Sequence, residues 1–265
     1  MPRHDEAYMT FWEHLEELRW HIIRSLVAIL IIGTLAFLAK QFVFHTLILG
    51  PSRPDFWTYR MLCKLGEFMD APSLCIDQLP FTLQNRQLAG QFTMHLLASL
   101  VIGFIGAFPY TVWELWRFIR PGIQLSSSSM ALGSTLLVSL LCILGILFGY
   151  FIITPLAIQF LANYQLDPNI TNVFDITSYV VTVVILVLAC ALTFQLPMIV
   201  YFLAKVGIVT TRLMRTYRRH AIIAILILAA IITPPDVMSQ ILLAIPLILL
   251  YEFSIFIAQL AAQKR

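Results

Sequence analysis

From Ala131 to Leu161 the sequence carries no Asp, Glu, Lys or Arg. A run of that length fits a bilayer far better than the core of a water-soluble domain, because a spanning helix needs roughly 20 apolar residues to cross about 30 Å of hydrocarbon. Comparable runs recur along the chain. Candidate spans are His21–Phe44, Leu88–Tyr110, Ala131–Leu161, Tyr179–Lys205, His220–Ile232 and Val237–Gln259. Only 12% of the 265 residues are charged, against about 25% in a typical soluble domain. The expected fold is therefore all-α, a polytopic bundle of six transmembrane helices whose last two spans are short. The fifth is the shortest: Ala221–Ile232 is closed by Thr233-Pro234-Pro235 and covers only about 20 Å as a helix. Such a helix thins the bilayer locally or is shielded by neighbours. A re-entrant segment is the alternative, and an even number of crossings fits the charges better.

Orientation follows from Lys and Arg near the span ends. One side collects Arg3, Arg19, Arg24, Arg117, Arg120, Lys205, Arg212, Arg215, Arg218, Arg219, Lys264 and Arg265. The other side has cations only in its first long loop, about 42–87, and none in 162–178 or 233–236. Both termini are thus expected in the cytoplasm. The acidic start of the chain (Asp5, Glu6, Glu13, Glu16, Glu17) lacks the basic segment and cleavage site of a signal peptide. The organisation reads as a cytoplasmic amphipathic N-terminal helix over 1–20 and a membrane domain over 21–265.

Cysteine usage is sparse. Cys142 and Cys190 lie in apolar runs, as small hydrophobes do. Cys63 and Cys75 share the long polar loop; a disulfide forms there if the loop faces an oxidising compartment, and two free thiols is the alternative. No Cys/His cluster has metal spacing, and no cofactor or metal is expected. A net charge of +3 without a basic, aromatic-interleaved stripe argues against nucleic acid.

The segment Thr10–Arg24 reads as an amphipathic helix entering the first span. Thr10 with Glu13 makes a capping box, and Phe11, Leu15, Leu18 and Ile22 form an apolar stripe. Glu13 and Glu17 stand one turn apart beside Glu16. Internal pairing, such as Glu16 with Arg19, is the ordinary fate of such acids. As a group, however, they are the sizeable negative patch on a cationic face, with Glu114 the one further candidate. A cationic peptide would be drawn there, and guanidinium–carboxylate pairing can be bidentate.

Four strings carry a family resemblance. His14-Leu-Glu-Glu-Leu-Arg19 resembles the HLxELR signature of TatC proteins, the signal-peptide receptors of twin-arginine translocation. Pro109-Tyr-Thr-Val-Trp-Glu-Leu-Trp-Arg-Phe-Ile-Arg-Pro121 resembles the family's passage from the second span into the first cytoplasmic loop. Phe194-Gln-Leu-Pro197 resembles its fourth-span motif, and Thr233-Pro-Pro-Asp-Val-Met-Ser-Gln240, continuing through Leu243-Ala-Ile-Pro246 to Glu252, its last outer turn. The strings occur in order and cover nearly the whole chain.

The resemblance implies reception of folded proteins whose signal peptides carry paired arginines. It also implies assembly with TatA- and TatB-type single-span partners, a homo-oligomer within the receptor complex, and use of the proton-motive force. The location implied is the bacterial cytoplasmic (inner) membrane. Glu17 and Arg19 match the signature's functional positions, Phe118 and Pro121 the first cytoplasmic loop, Pro51 an outer-loop proline and Asp236 the acid of the last outer turn. Two departures stand out. Gly122–Ser129 has no acid where many relatives place a glutamate, the aligned position being about Ser127, so Glu13, Glu16 or Glu114 compensates or the grip is weaker. Gln195 stands where several relatives bury a glutamate; an amide keeps the hydrogen bonding without burying a charge.

Other polar groups have competing readings. Glu252 in the last span is either an intramembrane functional carboxylate or a hydrated group near the cytoplasmic headgroups. His95 reads as packed or interfacial, Gly145 and Gly149 as a close-packing pair, and Trp113 and Trp116 as part of an interfacial belt. Pro155, Pro197 and Pro246 are expected to kink their helices into a concave bundle. A proton-coupled small-molecule transporter is the alternative function, weakened by the near absence of charge at mid-membrane. An enzyme is disfavoured, since HExxH, GxSxG and Walker motifs are all missing.

Overall fold

A computed structural model describes residues 11–68, 70, 75, 79–119, 128–167, 169–207, 209–233 and 237–263. Ten α-helices and two short strands lie among these residues. The helices are α1 (Phe11–Leu38), α2 (Trp57–Phe68), α3 (Gly90–Ile119), α4 (Ser128–Phe148) and α5 (Thr154–Asn163), then α6 (Ile176–Thr193), α7 (Leu196–Val206), α8 (Thr211–Thr216), α9 (Arg218–Ile232) and α10 (Val237–Gln263). Five stretches are long and apolar enough to cross a membrane: Glu16–Leu38, Gly90–Leu115, Thr135–Asn163, Ile176–Ala204 and Gln240–Gln259. The fifth expected span is α9, whose 15 residues extend about 22 Å at 1.5 Å per residue.

One expectation is corrected by the helix lengths. The last span is not short: α10 runs 27 residues without a break, with Pro246 inside it. Pro246 sits mid-helix, in a helix that packs against α7 and α9. A second difference is a small parallel sheet in an otherwise helical chain, pairing β1 (Phe81–Gln84) with β2 (Asn172–Asp175). Four-residue strands with mixed polarity give no alternation long enough to read from sequence.

Pro155 and Pro197 each lie in the first turn of a helix, α5 and α7; at Pro197, which follows a turn, the missing N–H costs little. Before Pro155 the chain widens into π-helical turns over Gly149–Ile153. Pro155 cannot supply the N–H that Phe151 O would ordinarily accept, and the Thr58 hydroxyl donates to that oxygen instead. Pro109 lies inside α3.

The long loop is clamped onto this irregular stretch by tyrosines. The Tyr59 hydroxyl lies 3.0 Å from the carbonyl oxygens of both Pro51 and Pro155. Tyr150 donates to Leu47 O at 2.9 Å, and Tyr179 to Ile48 O at 2.9 Å. Each donates to a backbone carbonyl oxygen of a distant segment, tying the loop to the helices. Tyr59 is 1% exposed, and burial, with Tyr179 nearby, pushes its hydroxyl above the ordinary tyrosine range. Cys63 and Cys75 are joined by a disulfide, while Cys142 and Cys190 are buried free thiols.

Small residues set the closest helix contacts. A Cβ on Gly103 would stand 2.6 Å from Ile29 O and 2.8 Å from the Gly33 Cα, so α1 and α3 touch backbone to backbone. Gly145 of α4 and Gly149 just after it serve in the same way, against Ala191, Cys190 and Val187 of α6. The pair read from sequence as a packing motif is thus internal to the chain. The largest buried apolar cluster joins Ala36, Val43, Met94, Ala98, Tyr179 and Val183. A second joins Ile153, Leu186, Ile225, Leu243 and Leu247, tying α9 and α10 to the rest.

Candidate functional site

The α1–α3 contact places one end of α1 against the end of α3 that bears Glu114. From Gly33 to His21 and from Gly103 to Glu114 the two antiparallel helices cover nearly equal lengths, so His21 and Glu114 meet. His21 Nδ1 lies 2.5 Å from Glu114 Oε2, with both residues buried. The Tyr110 hydroxyl, one turn back along α3, donates to Glu114 Oε1 at 2.8 Å. Arg24 Nη1 stands 3.8 Å from Oε2 and Arg117 Nη1 3.7 Å from Oε1. Glu114 is only 2% exposed, and this enclosure by donors and cations is what a buried carboxylate requires.

Glu17 lies one turn before His21 on α1. Its Oε1 is 4.0 Å from His21 Nε2, and its side chain is 37% exposed. Its Oε2 has no hydrogen-bond partner. Glu16 and Arg19 are exposed. The expected Glu16–Arg19 pairing gives way to another contact: the Arg19 guanidinium lies 5.6 Å from the Trp20 ring centroid, within cation–π range. Phe118 meets the His21 ring edge-on, with centroids 6.2 Å apart.

An apolar groove of about 250 Å³ runs along the other side of the same crossing. Leu18, Ile22 and Ile29 line it from α1, and Thr111, Leu115 and Phe118 from α3. His21 borders both the groove and the acidic cluster. One end of the bundle thus presents a partly open carboxylate beside an apolar trough.

The remaining sequence candidates lie elsewhere. Gln195 is buried where α6 gives way to α7; its Nε2 is 3.3 Å from Val138 O and 3.4 Å from Ala191 O, while Oε1 has no partner. Glu252 on α10 accepts from Arg218 at 2.7 Å, both side chains being more than a third exposed. Pro51 is buried at the opposite end, under Tyr59. His95 is buried, with its ring stacked on Phe37 at 4.0 Å between centroids. Pro121, Ser127 and Asp236 lie outside the described residues, as do Thr10 and the Glu13 and Trp116 side chains. What sequence reading missed is the role of His21 and Tyr110. Their spacing to Glu17 and Glu114, one helical turn each, is the signal that could have found them.

Comparison with known proteins adds what geometry alone does not. Residues 13–246 match the family described as "Sec-independent protein translocase protein (TatC)". The chain belongs to the TatC family. A TatC of Blattabacterium sp. subsp. Periplaneta americana is 36% identical over 265 residues, 99% of this chain and 100% of that protein. The Aquifex aeolicus TatC is 34% identical over 259 residues, 97% and 98% of the two chains. A crystal structure of the twin-arginine translocase receptor TatC superposes with a TM-score of 0.71 at 32% identity, covering 94% of this chain and 99% of that one. The TatC fold and the apolar helices together make this a multi-pass membrane protein.

Proposed function

We propose that this chain is a twin-arginine translocation receptor, binding the paired-arginine signal peptides of folded proteins at the end of the bundle where α1 meets α3. The observation that carries the reading is Glu17, a carboxylate side chain 37% exposed, inside a TatC-family chain. Beside it lies an apolar groove, which matches a ligand that is cationic at one point and apolar next to it.

In this reading Glu17, with Glu16 and Glu13 on the same helix, receives the arginines, and Arg19, Phe118 and Pro121 border the site. Six spans, with α9 a true but short crossing, put both termini in the cytoplasm of a bacterial inner membrane. The segment 1–20 is then a cytoplasmic helix leading into the membrane domain. The chain acts as a binding and assembly component, not a catalyst, working with TatA- and TatB-type partners and with further copies of itself. Gln195 and Glu252 are polar contact points for partner helices, and Pro51 and Asp236 belong to the periplasmic face.

The direct test is replacement. A bacterium lacking its own TatC, given this chain and its TatA- and TatB-type partners, should export a folded fluorescent reporter whose leader carries paired arginines. The same leader with paired lysines should leave the reporter in the cytoplasm. Export that ignores the arginines would overturn the reading.

A further inference from the structure

Glu114 is a natural candidate to replace the acid absent near Ser127, but its surroundings already occupy it. Oε2 faces His21 and Arg24, and Oε1 faces Tyr110 and Arg117. At 2% exposure it presents no oxygen to a ligand arriving from outside. Glu17 differs: its side chain is 37% exposed, with Oε1 4.0 Å from His21 Nε2 and Oε2 enclosed without a hydrogen-bond partner. One imidazole therefore lies between the two carboxylates, hydrogen-bonded to Glu114 and 4.0 Å from Glu17.

We propose that His21, anchored by Glu114 and Tyr110, is a positioning residue that orients the Glu17 carboxylate for a guanidinium of the arginine pair. The proposal rests on the receptor reading above and adds the source of its selectivity. An exposed glutamate rotates freely, and rotation matters differently to the two cations. Arginine binds a carboxylate through a planar fork and needs both oxygens held in one plane. Lysine is a point charge and gains little from that order. A device that fixes the plane of Glu17 thus strengthens paired arginine while leaving paired lysine nearly unchanged. The enclosed Glu114 supplies the fixed end: neutralised from within by Arg24 and Arg117, it holds His21 without drawing the ligand to itself.

The test is a pair of affinities, measured with the full chain and its partner proteins in membrane vesicles. The probes are a fluorescent signal peptide with paired arginines and the same peptide with paired lysines. In His21→Ala, loss of the contact that fixes the Glu17 plane predicts an arginine affinity up to about tenfold lower, with the lysine affinity unchanged. His21→Gln, whose amide still donates to a carboxylate, should recover part of the preference. Glu114→Gln should lower it in the same direction. A preference in His21→Ala equal to that of the parent overturns the proposal, whether both affinities hold or both fall together, because a purely structural role moves both equally. If His21→Ala fails to fold, ¹⁵N-imidazole resonances of the unaltered protein decide. The arginine peptide should shift the His21 ring nitrogens and the lysine peptide should not; no shift at saturation overturns the proposal. A parent protein that binds both peptides equally would defeat the receptor reading itself, a result distinct from failure of the His21 variants.

Discussion

His21 Nδ1 lies 2.5 Å from Glu114 Oε2, although 93 residues separate them in sequence. The contact exists because α1 and α3 approach to backbone distance three turns away, at Gly33 and Gly103. The geometry of the site is therefore tied to a glycine within the apolar stretch Gly90–Leu115. Gly103→Ala should drive a Cβ into Ile29 O and the Gly33 Cα, costing about 1–3 kcal/mol as overpacking does. It should also reduce the preference for paired arginines by shifting His21 away from Glu114. Gly133→Ala is the control, since its Cβ would meet nothing within 4 Å. Melting temperature and peptide affinity of the two variants check both statements.

The opposite end of the bundle makes a separable prediction. Tyr59→Phe removes the hydroxyl that serves the Pro51 and Pro155 carbonyls. Losing such a buried hydrogen bond costs about 0.5–1.5 kcal/mol, so thermal stability in detergent should fall while the arginine preference stays intact. A change in preference would mean that the two ends of the bundle are coupled.

The disulfide reports the sidedness of the long loop. Cys63 and Cys75 are 12 residues apart, and closing a loop of that size stabilises by about 3 kcal/mol in the chain-entropy account. Neither cysteine should react with a maleimide until a reductant is added. After reduction, a membrane-impermeant maleimide should label intact spheroplasts from outside. Labelling without reductant, or only after lysis, would contradict a disulfide-closed loop on the periplasmic side.

Glu252 offers a contrast between two readings of one carboxylate. Its bond to Arg218 joins α10 to the start of α9, with both side chains well exposed. Such pairs contribute only about 0.2–1 kcal/mol. Glu252→Gln should therefore shift the melting temperature slightly and leave arginine-dependent export near the parent level. Loss of export in a stable, well-inserted variant would mean that the carboxylate charge itself is needed, beyond the polar contact that glutamine keeps.

Much of the fold is legible in the sequence because its causes are local. Spans follow from apolar length, the Gly145/Gly149 packing pair from spacing, and the N-terminal acids from their isolation among cations. The full length of α10 is hidden, since the apolar run read as ending at Gln259 does not show that the helix continues to Gln263. β1 and β2 are hidden as well: four residues pair only because two distant loops meet. The site divides along the same line. Glu17 stands out within one helix, but the engagement of Glu114 depends on the register of α1 against α3, which no local pattern encodes. The open carboxylate and the enclosed one look alike in sequence, and only their surroundings separate them.

The central claim is that Glu17 receives the arginine pair, and a photo-crosslinker at residue 17 in native membranes tests it most directly. A signal peptide with both arginines should crosslink there, and the same peptide with both changed to lysine should crosslink far less. Equal crosslinking of the two peptides would contradict the account, reducing the acidic end of α1 to a general attractor of positive charge.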